Sequence, residues 1–90
     1  DGRTIATIQV LHRVAMGRRS LGDGDGALAL LRRAAEVLDA EPEDSELRWT
    51  AEAMVRTELA TTLLVRGDHA DAVLQYEAIL PRLEAAHAND

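Results

Sequence analysis

The pattern Gly-Asp-x-x-x-Ala occurs twice in this chain and constrains its fold more than any other feature. The first copy begins at Gly22 and the second at Gly67, 45 residues later. Glycine permits a tight turn, and the aspartate carboxylate accepts hydrogen bonds from the free N–H groups that open a helix. The small alanine lets that helix approach another one closely. The duplication therefore predicts two similar helical hairpins whose turn and cap residues are Gly22, Asp23, Gly67 and Asp68.

Apolar residues recur at helical spacing in four segments that are separated by turn-forming residues. Because the connections are short, consecutive helices are expected to be antiparallel. We therefore predict an all-α fold of four antiparallel helices in one domain over 1–90. Hairpin 1 is predicted at about 4–40 and hairpin 2 at about 45–88. The chain begins with Asp1 rather than Met, so we expect it to be a fragment of a longer protein.

An acidic linker, 41–46, separates the two hairpins. Pro42 disfavours the helical conformation for Glu41, the residue before it. Asp44 or Ser45 is a suitable N-cap for the helix that follows. The linker is therefore expected to be a solvated turn between hairpins, since nothing in its pattern would bury its carboxylates.

Two further features concern the third and fourth helices. Arg48, Glu52 and Arg56 stand at i, i+4 spacing in the third helix, so they can form ion pairs along one face. Pro81 lies inside the fourth helix and cannot donate a backbone hydrogen bond. We therefore expect a kink or a break near Leu80.

Aromatic residues are nearly absent, which limits what can form the core. Trp49 and Tyr76 are the two that occur, and Phe is missing, so the core must be built from Ala, Leu, Val and Ile. Such a core favours closely packed helices and disfavours a β-sandwich. Trp49 is either an anchor between helices or a binding hot spot. The residues predicted to pack between helices are Ala27, Leu31, Ala34, Ala60, Ala72, Tyr76 and Ile79.

The duplicated unit resembles the tetratricopeptide repeat, whose second helix opens with such a turn and then buries a small, an aromatic and another small residue. Leu31 and Tyr76 follow the alanine by four residues. The chain departs from the family at Leu11 and Arg56, where a Trp is common, and at Arg18, where a packing residue is expected. The period of 45 exceeds the usual ~34 residues. In this it is similar to long-period variants in bacterial regulators.

The resemblance implies an α-α superhelix that acts as a non-catalytic protein–protein interaction or oligomerisation module of a bacterial regulatory or signalling protein. It also implies that the first helix of each hairpin lines a concave face. The side chains on that face are mixed in character and include both methionines, so we expect it to receive an apolar helix. Alternatively, these residues pack against helices outside this chain. The implied partner-binding residues are Gln9, His12, Met16, Arg19, Met54, Thr57, Thr61 and Leu64.

Composition and charge exclude several classes of function. The chain has no Cys, which excludes disulfides and Cys-based zinc sites. Its net charge of −6 works against non-specific nucleic-acid binding. No apolar run approaches the ~20 residues that span a bilayer, and no signal-peptide pattern opens the chain. We therefore expect a cytoplasmic protein with no membrane partner and no nucleic-acid partner of its own.

The glycine-rich segment 22–26 and the histidines are candidate ligand sites, and neither meets the requirements. The segment does not follow a strand, and its two aspartates would repel a phosphate. As a calcium loop it lacks ligands at Ala27 and Ala34. No metal-ligand spacing relates the histidines, which are His12, His69 and His87. We predict no catalytic residue, no metal and no cofactor, and hence a protein that is not an enzyme.

Charge is distributed unevenly along the chain, which bears on self-association. Residues 1–40 carry six Arg and five acidic residues, whereas residues 41–90 carry four Arg and eleven acidic residues. Opposite charges favour an antiparallel, two-fold homodimer. We expect its apolar contacts to come from Ile5 and Ile8 in the first helix and from Val73 and Leu74 in the fourth. The arginines that could form a basic patch for an acidic partner are Arg13, Arg18, Arg19, Arg32 and Arg33.

Two other functions remain open at this point. The first is a structural four-helix bundle that self-associates and buries its apolar surface in a closed core. The second is a sensor that binds a small ligand between its hairpins, although no set of residues specifies that ligand. Contact between the first and fourth helices would favour the closed bundle over the repeat.

Overall fold

The structure, a computed structural model, describes residues 2–42 and 45–88 and contains four helices with no strand in those residues. The all-α fold predicted from the sequence is confirmed. The helices are α1 (Gly2–Ser20), α2 (Gly24–Leu38), α3 (Glu46–Arg66) and α4 (His69–Ala88).

The turn inside each hairpin has the same backbone conformation and the same backbone hydrogen bonds. Gly22 and Gly67 both have left-handed backbone, with φ of 86° and 88°. The amide of Asp23 donates to the carbonyl oxygen five residues earlier at 2.8 Å, and the amide of Asp68 does the same at 2.9 Å. Glycine is needed at both positions because a Cβ strains this conformation. The duplicated pattern therefore encodes the same reversal of the chain twice.

The helix caps follow the predictions at two of three positions. The carboxylate of Asp23 accepts from the amide of Gly26 at 2.8 Å, and the hydroxyl of Ser45 accepts from the amide of Arg48 at 3.2 Å. At the third position, the carboxylate of Asp68 accepts from the Arg66 guanidinium at 3.4 Å, and its role as a cap of α4 stays a prediction.

The helices pack in chain order as two hairpins side by side. α1 packs on α2 and α3 packs on α4, while α2 and α3 join the hairpins. α1 also reaches α3 over a smaller area, and no Cα of α1 lies within 8 Å of a Cα of α4 in the described residues. These residues therefore do not form a closed bundle, and the outer sides of α1 and α4 remain open.

Alanines at the helix crossings make close packing possible. Ala15 and Ala27 meet in one core cluster that also contains Ala60 and Ala72, and all four are fully buried. A second cluster surrounds Ile8, with residues from α1, α2 and α3. The predicted packing residues are buried, except Tyr76, which is half-buried against the first cluster. Because the small side chains keep the helix axes close, leucines from both hairpins reach one core.

One expectation about α4 is decided in part, and one about α1 is wrong. α4 continues through Pro81 without a break, whereas the alternative of a kink stays a prediction. Both Pro81 and Glu77 are exposed, so water can satisfy the carbonyl that loses its hydrogen bond. Ile8 is fully buried, so it does not face outward. The exposed apolar residues of α1 are instead Val10 and Val14.

The turn glycines and helix glycines are predicted to respond to alanine with opposite signs. Gly67→Ala places a Cβ in left-handed backbone, so we expect it to lower the free energy of unfolding by about 1–2 kcal/mol. Gly17→Ala is the matched control, because it lies inside α1 with no atom within 4 Å of the added Cβ. It is expected to raise the free energy of unfolding by about 0.5–1 kcal/mol. Urea unfolding followed by circular dichroism measures both, and a stabilised Gly67→Ala variant would contradict the turn assignment.

Candidate functional site

A groove of about 490 Å³ lies between α1 and α3, and it contains four of the eight predicted partner-binding residues. The α1 residues that line it are one turn apart, so they project from the same side of the helix. Met54 of α3 forms the opposite wall. The lining residues are Gln9, His12, Arg13, Met16 and Met54.

A second, more apolar hollow of about 300 Å³ continues this groove toward the start of α1. Gln9 and Met54 border both hollows, so the two form one surface, which we call the α1–α3 groove. Sequence reasoning missed the residues of the second hollow. They stand one or two turns before the predicted residues on the same helix faces, and that spacing could have found them. The additional residues are Ile5, Ile8, Leu47, Thr50 and Ala51.

His12 lines this groove and has a buried polar atom without a hydrogen-bond partner in the described residues. Its side chain is half-buried, and its Nε2 atom is buried with no hydrogen-bond partner in the described part of the chain. A buried nitrogen without a partner costs free energy, so most such atoms in proteins are hydrogen-bonded. Together with Gln9 and Arg13, His12 makes the α1 wall of this hollow mixed in character, with polar groups beside Met16.

Arg19 is engaged within the chain, which differs from its predicted role in meeting a partner. Its guanidinium pairs with Glu58 at 3.1 Å and donates to Thr62 Oγ1 at 3.3 Å and to Met16 Sδ at 3.1 Å. These contacts join the end of α1 to α3. We call these contacts the Arg19 clasp. They lie beside the groove and include the sulfur atom of Met16.

The other three predicted residues lie on α3 outside the groove. Thr61 Oγ1 donates to the carbonyl of Thr57 at 2.9 Å and lies 3.4 Å from the hydroxyl of Tyr76 on α4. Leu64 is exposed near the end of α3. The structure thus divides the predicted concave face into a groove shared with α1 and a strip that borders α4.

Trp49 forms a contact between α3 and α4. The guanidinium carbon of Arg82 lies 4.4 Å from the centre of the indole ring, which is a cation–π arrangement. The ring is half-buried and borders neither hollow of the α1–α3 groove. Of the two roles predicted for Trp49, this geometry matches the anchor between helices.

A chain of ion pairs runs from the end of α2 across α3. Arg48 pairs with Asp39 at 3.7 Å and with Glu52 at 3.6 Å, and it donates to the carbonyl of Glu41 at 2.6 Å. Glu52 also pairs with Arg56 at 2.9 Å, as the i, i+4 spacing predicted. The Arg48–Asp39 pair crosses the interface between the two hairpins.

Most of the predicted basic patch is used internally. Arg18 pairs with Asp23 at 3.3 Å and Arg32 pairs with Asp71 at 3.5 Å, in addition to the Arg19 clasp. Among residues 2–42 and 45–88, Arg13 and Arg33 make no ion pair. Arg13 is the one that lies at the α1–α3 groove.

The far end of the hairpin interface has its own ion pair. Arg66, at the end of α3, pairs with Asp25 at the start of α2. The hydrogen bond with Asp25, and a second one with Asp68, raises the pKa of Arg66 above its ordinary value. This cation therefore links the end of α3 to the start of α2.

The described residues contain no group of three or more His, Asp or Glu placed to hold a metal ion. Within the same residues, none of the helices combines the length and the apolar character that crossing a membrane requires. Comparison with protein-family models, curated proteins and solved structures finds no match for this chain. The α1–α3 groove is therefore interpreted from its own geometry.

The Arg19 clasp is predicted to contribute measurably to stability, whereas a more exposed pair is not. In a double-mutant cycle, Arg19→Ala and Glu58→Ala are expected to show a coupling free energy of about 0.5–1 kcal/mol, because both side chains are about two-thirds buried. The control cycle uses Arg32 and Asp71, whose side chains are about half exposed. Its coupling is expected to be close to zero. Thermal or urea unfolding of the seven proteins measures both cycles, and equal couplings would show that burial of the clasp has no effect.

Proposed function

We propose that this chain is a non-catalytic protein–protein interaction module that receives the apolar face of a helix in the α1–α3 groove. The observation that carries this proposal is that both methionines, Met16 and Met54, line one groove between two helices. Methionine adapts its shape to the side chains that it meets, so it is common where apolar helices are bound. The groove continues into a hollow whose walls are mostly apolar, which gives such a helix several side-chain sites.

Charge specifies what kind of helix fits. α1 carries four arginines and no acidic residue, and Arg13 lies at the groove without a carboxylate partner in the described residues. An acidic side chain beside the apolar face of a partner helix can pair with Arg13 and speed the encounter. The occupant we propose is therefore an amphipathic helix whose apolar face is bordered by Asp or Glu.

The setting in a bacterial regulatory or signalling protein is also a proposal, and it rests on the resemblance to tetratricopeptide repeats. The recurrence of the same turn at Gly22 and Gly67 supports it, because repeat proteins reuse one hairpin geometry. In such a protein the groove would recognise a segment of a partner and leave any chemistry to other domains.

The two methionines make the binding test specific, because the chain contains no others. A displayed library of amphipathic helices, each with one apolar face bordered by Asp or Glu, is sorted against the folded protein. The selected peptides are then added to protein labelled with carbon-13 at the methionine methyl groups. We expect both methyl resonances to shift together on binding. A library that yields no binder, or binders that move neither resonance, would contradict the proposal.

Matched substitutions separate the groove from the neighbouring surface. Met54→Glu is expected to weaken binding of the selected peptides by about tenfold or more, since it places a charge in the apolar wall. Leu64→Glu makes a similar change on α3 outside the groove and is expected to leave binding unchanged. Arg13→Glu is expected to weaken binding about fivefold, whereas Arg33→Glu, on α2, serves as its charge-matched control. Equal losses for Met54→Glu and Leu64→Glu would place the binding surface elsewhere on α3.

A further inference from the structure

The 45-residue repeat allows each residue of hairpin 1 to be compared with its equivalent in hairpin 2. The face of α3 that packs on α2 is buried, and the equivalent face of α1 is not. Val10 and Val14 are 60% and 44% exposed, whereas their equivalents Val55 and Leu59 are 0% and 3% exposed. Their neighbours Ala6 and Gly17 are exposed as well. We call this surface the α1 outer face, and its residues are Ala6, Val10, Val14 and Gly17.

The fourth helix shows the complementary difference. Leu28, Leu31 and Leu38 of α2 are buried in the two clusters that include α3. Their equivalents in α4 are Val73, Tyr76 and Leu83, of which the first and last are exposed and Tyr76 is half-buried. Leu80, on the same side of α4, is 48% exposed. We call this surface the α4 outer face, and its residues are Val73, Tyr76, Leu80 and Leu83.

The two outer faces therefore correspond to the two surfaces of the α2–α3 interface, which the chain already forms internally. The α4 outer face matches the surface that α2 presents to α3, and the α1 outer face matches the surface that α3 presents to α2. In the described residues, no helix packs on the outer face of α4. The α1 helix of another copy carries the same residue pattern as α3, the helix that packs on α2, so it fits this position. Apolar faces of this kind on a small protein usually mark contact sites.

The charges agree with this pairing at matched positions. The internal interface contains the ion pair between Asp39 of α2 and Arg48 of α3. The position equivalent to Asp39 is Glu84, 45 residues later in α4. The position equivalent to Arg48 is Arg3, 45 residues earlier in α1. Both of these side chains are exposed. The whole of α1 is basic, with four arginines and no acidic residue, while α4 has three acidic residues and one arginine. Opposite charges thus meet when α4 of one copy lies against α1 of the next.

We infer that copies of this chain associate head to tail, with the α4 outer face of one copy packed on the α1 outer face of the next as α2 packs on α3. The contact is heterologous, since it uses a different surface on each partner. α1 and α4 do not contact each other in the described residues, so the two outer faces are separate and each added copy leaves one free face at each end. The expected product is an open series of oligomers, which differs from the two-fold dimer predicted from charge alone. Neither outer face includes a residue of the α1–α3 groove, so this inference is independent of the proposed function.

Two single-face variants test the inference by mixing. Val14→Asp blocks the α1 outer face and Leu80→Asp blocks the α4 outer face, and both change exposed residues, so the fold is kept and circular dichroism checks it. In sedimentation velocity up to millimolar concentration, the unmodified chain is expected to exceed the mass of two copies. Each variant alone is expected to remain a monomer. Their equimolar mixture is expected to form a one-to-one dimer, because one intact α4 face and one intact α1 face remain.

Further variants control for the position and the charge of these substitutions. Leu74→Asp makes the same change on the opposite side of α4 and is expected to assemble like the unmodified chain. Glu84→Arg is expected to weaken association about fivefold. Adding Arg3→Glu to that variant is expected to restore association, because the two charges are again opposite. An unmodified chain that stays monomeric would overturn the inference and would indicate that another polypeptide covers these faces. A dimer that persists in Val14→Asp or in Leu80→Asp alone would overturn it in favour of a two-fold contact.

Discussion

The close approach of helices at buried alanines is the contact on which the rest of this structure depends. Ala15 and Ala27 of hairpin 1 and Ala60 and Ala72 of hairpin 2 are fully buried in one core cluster. With almost no aromatic residues, the chain cannot fill a wide space between helices, so the helices must lie close together. Their proximity lets leucines from α2 and α3 reach a shared core, and that core joins the hairpins.

The arrangement of hairpins explains why the molecule has both a groove and two open ends. Because α2 packs on both α1 and α3, whereas α1 and α3 touch over a smaller area, a hollow remains between α1 and α3 where Met16 and Met54 line the walls. The same order leaves α1 and α4 with neighbours on one side only. A partner helix in the α1–α3 groove and a second copy on an outer face would thus occupy different surfaces of the same pair of hairpins.

Electrostatic contacts in this protein mainly fix positions. The Arg19 clasp with Glu58 sets the end of α1 against α3, and Arg48 with Asp39 crosses the hairpin interface. Partly buried pairs of this kind contribute modestly to stability, but they select one register of the helices. They also remove most arginines from the predicted basic patch, so Arg13 is the basic residue of the groove with no carboxylate partner in the described residues.

The sequence by itself determined the local features: the turns at Gly22 and Gly67, the caps at Asp23 and Ser45, and the all-α hairpin order. These depend on contacts between residues close in the chain, so short patterns specify them. It also placed half of the predicted binding residues in one groove, because helical spacing fixes which residues share a face. Only the tertiary structure decided which faces are covered. Leu59 is buried and its equivalent Val14 is not, although their local patterns match, because α2 lies against α3 while no helix of the described chain lies on the outer side of α1. Arg19 could not be assigned from sequence for the same reason, since its partner Glu58 is close only once α1 and α3 have packed.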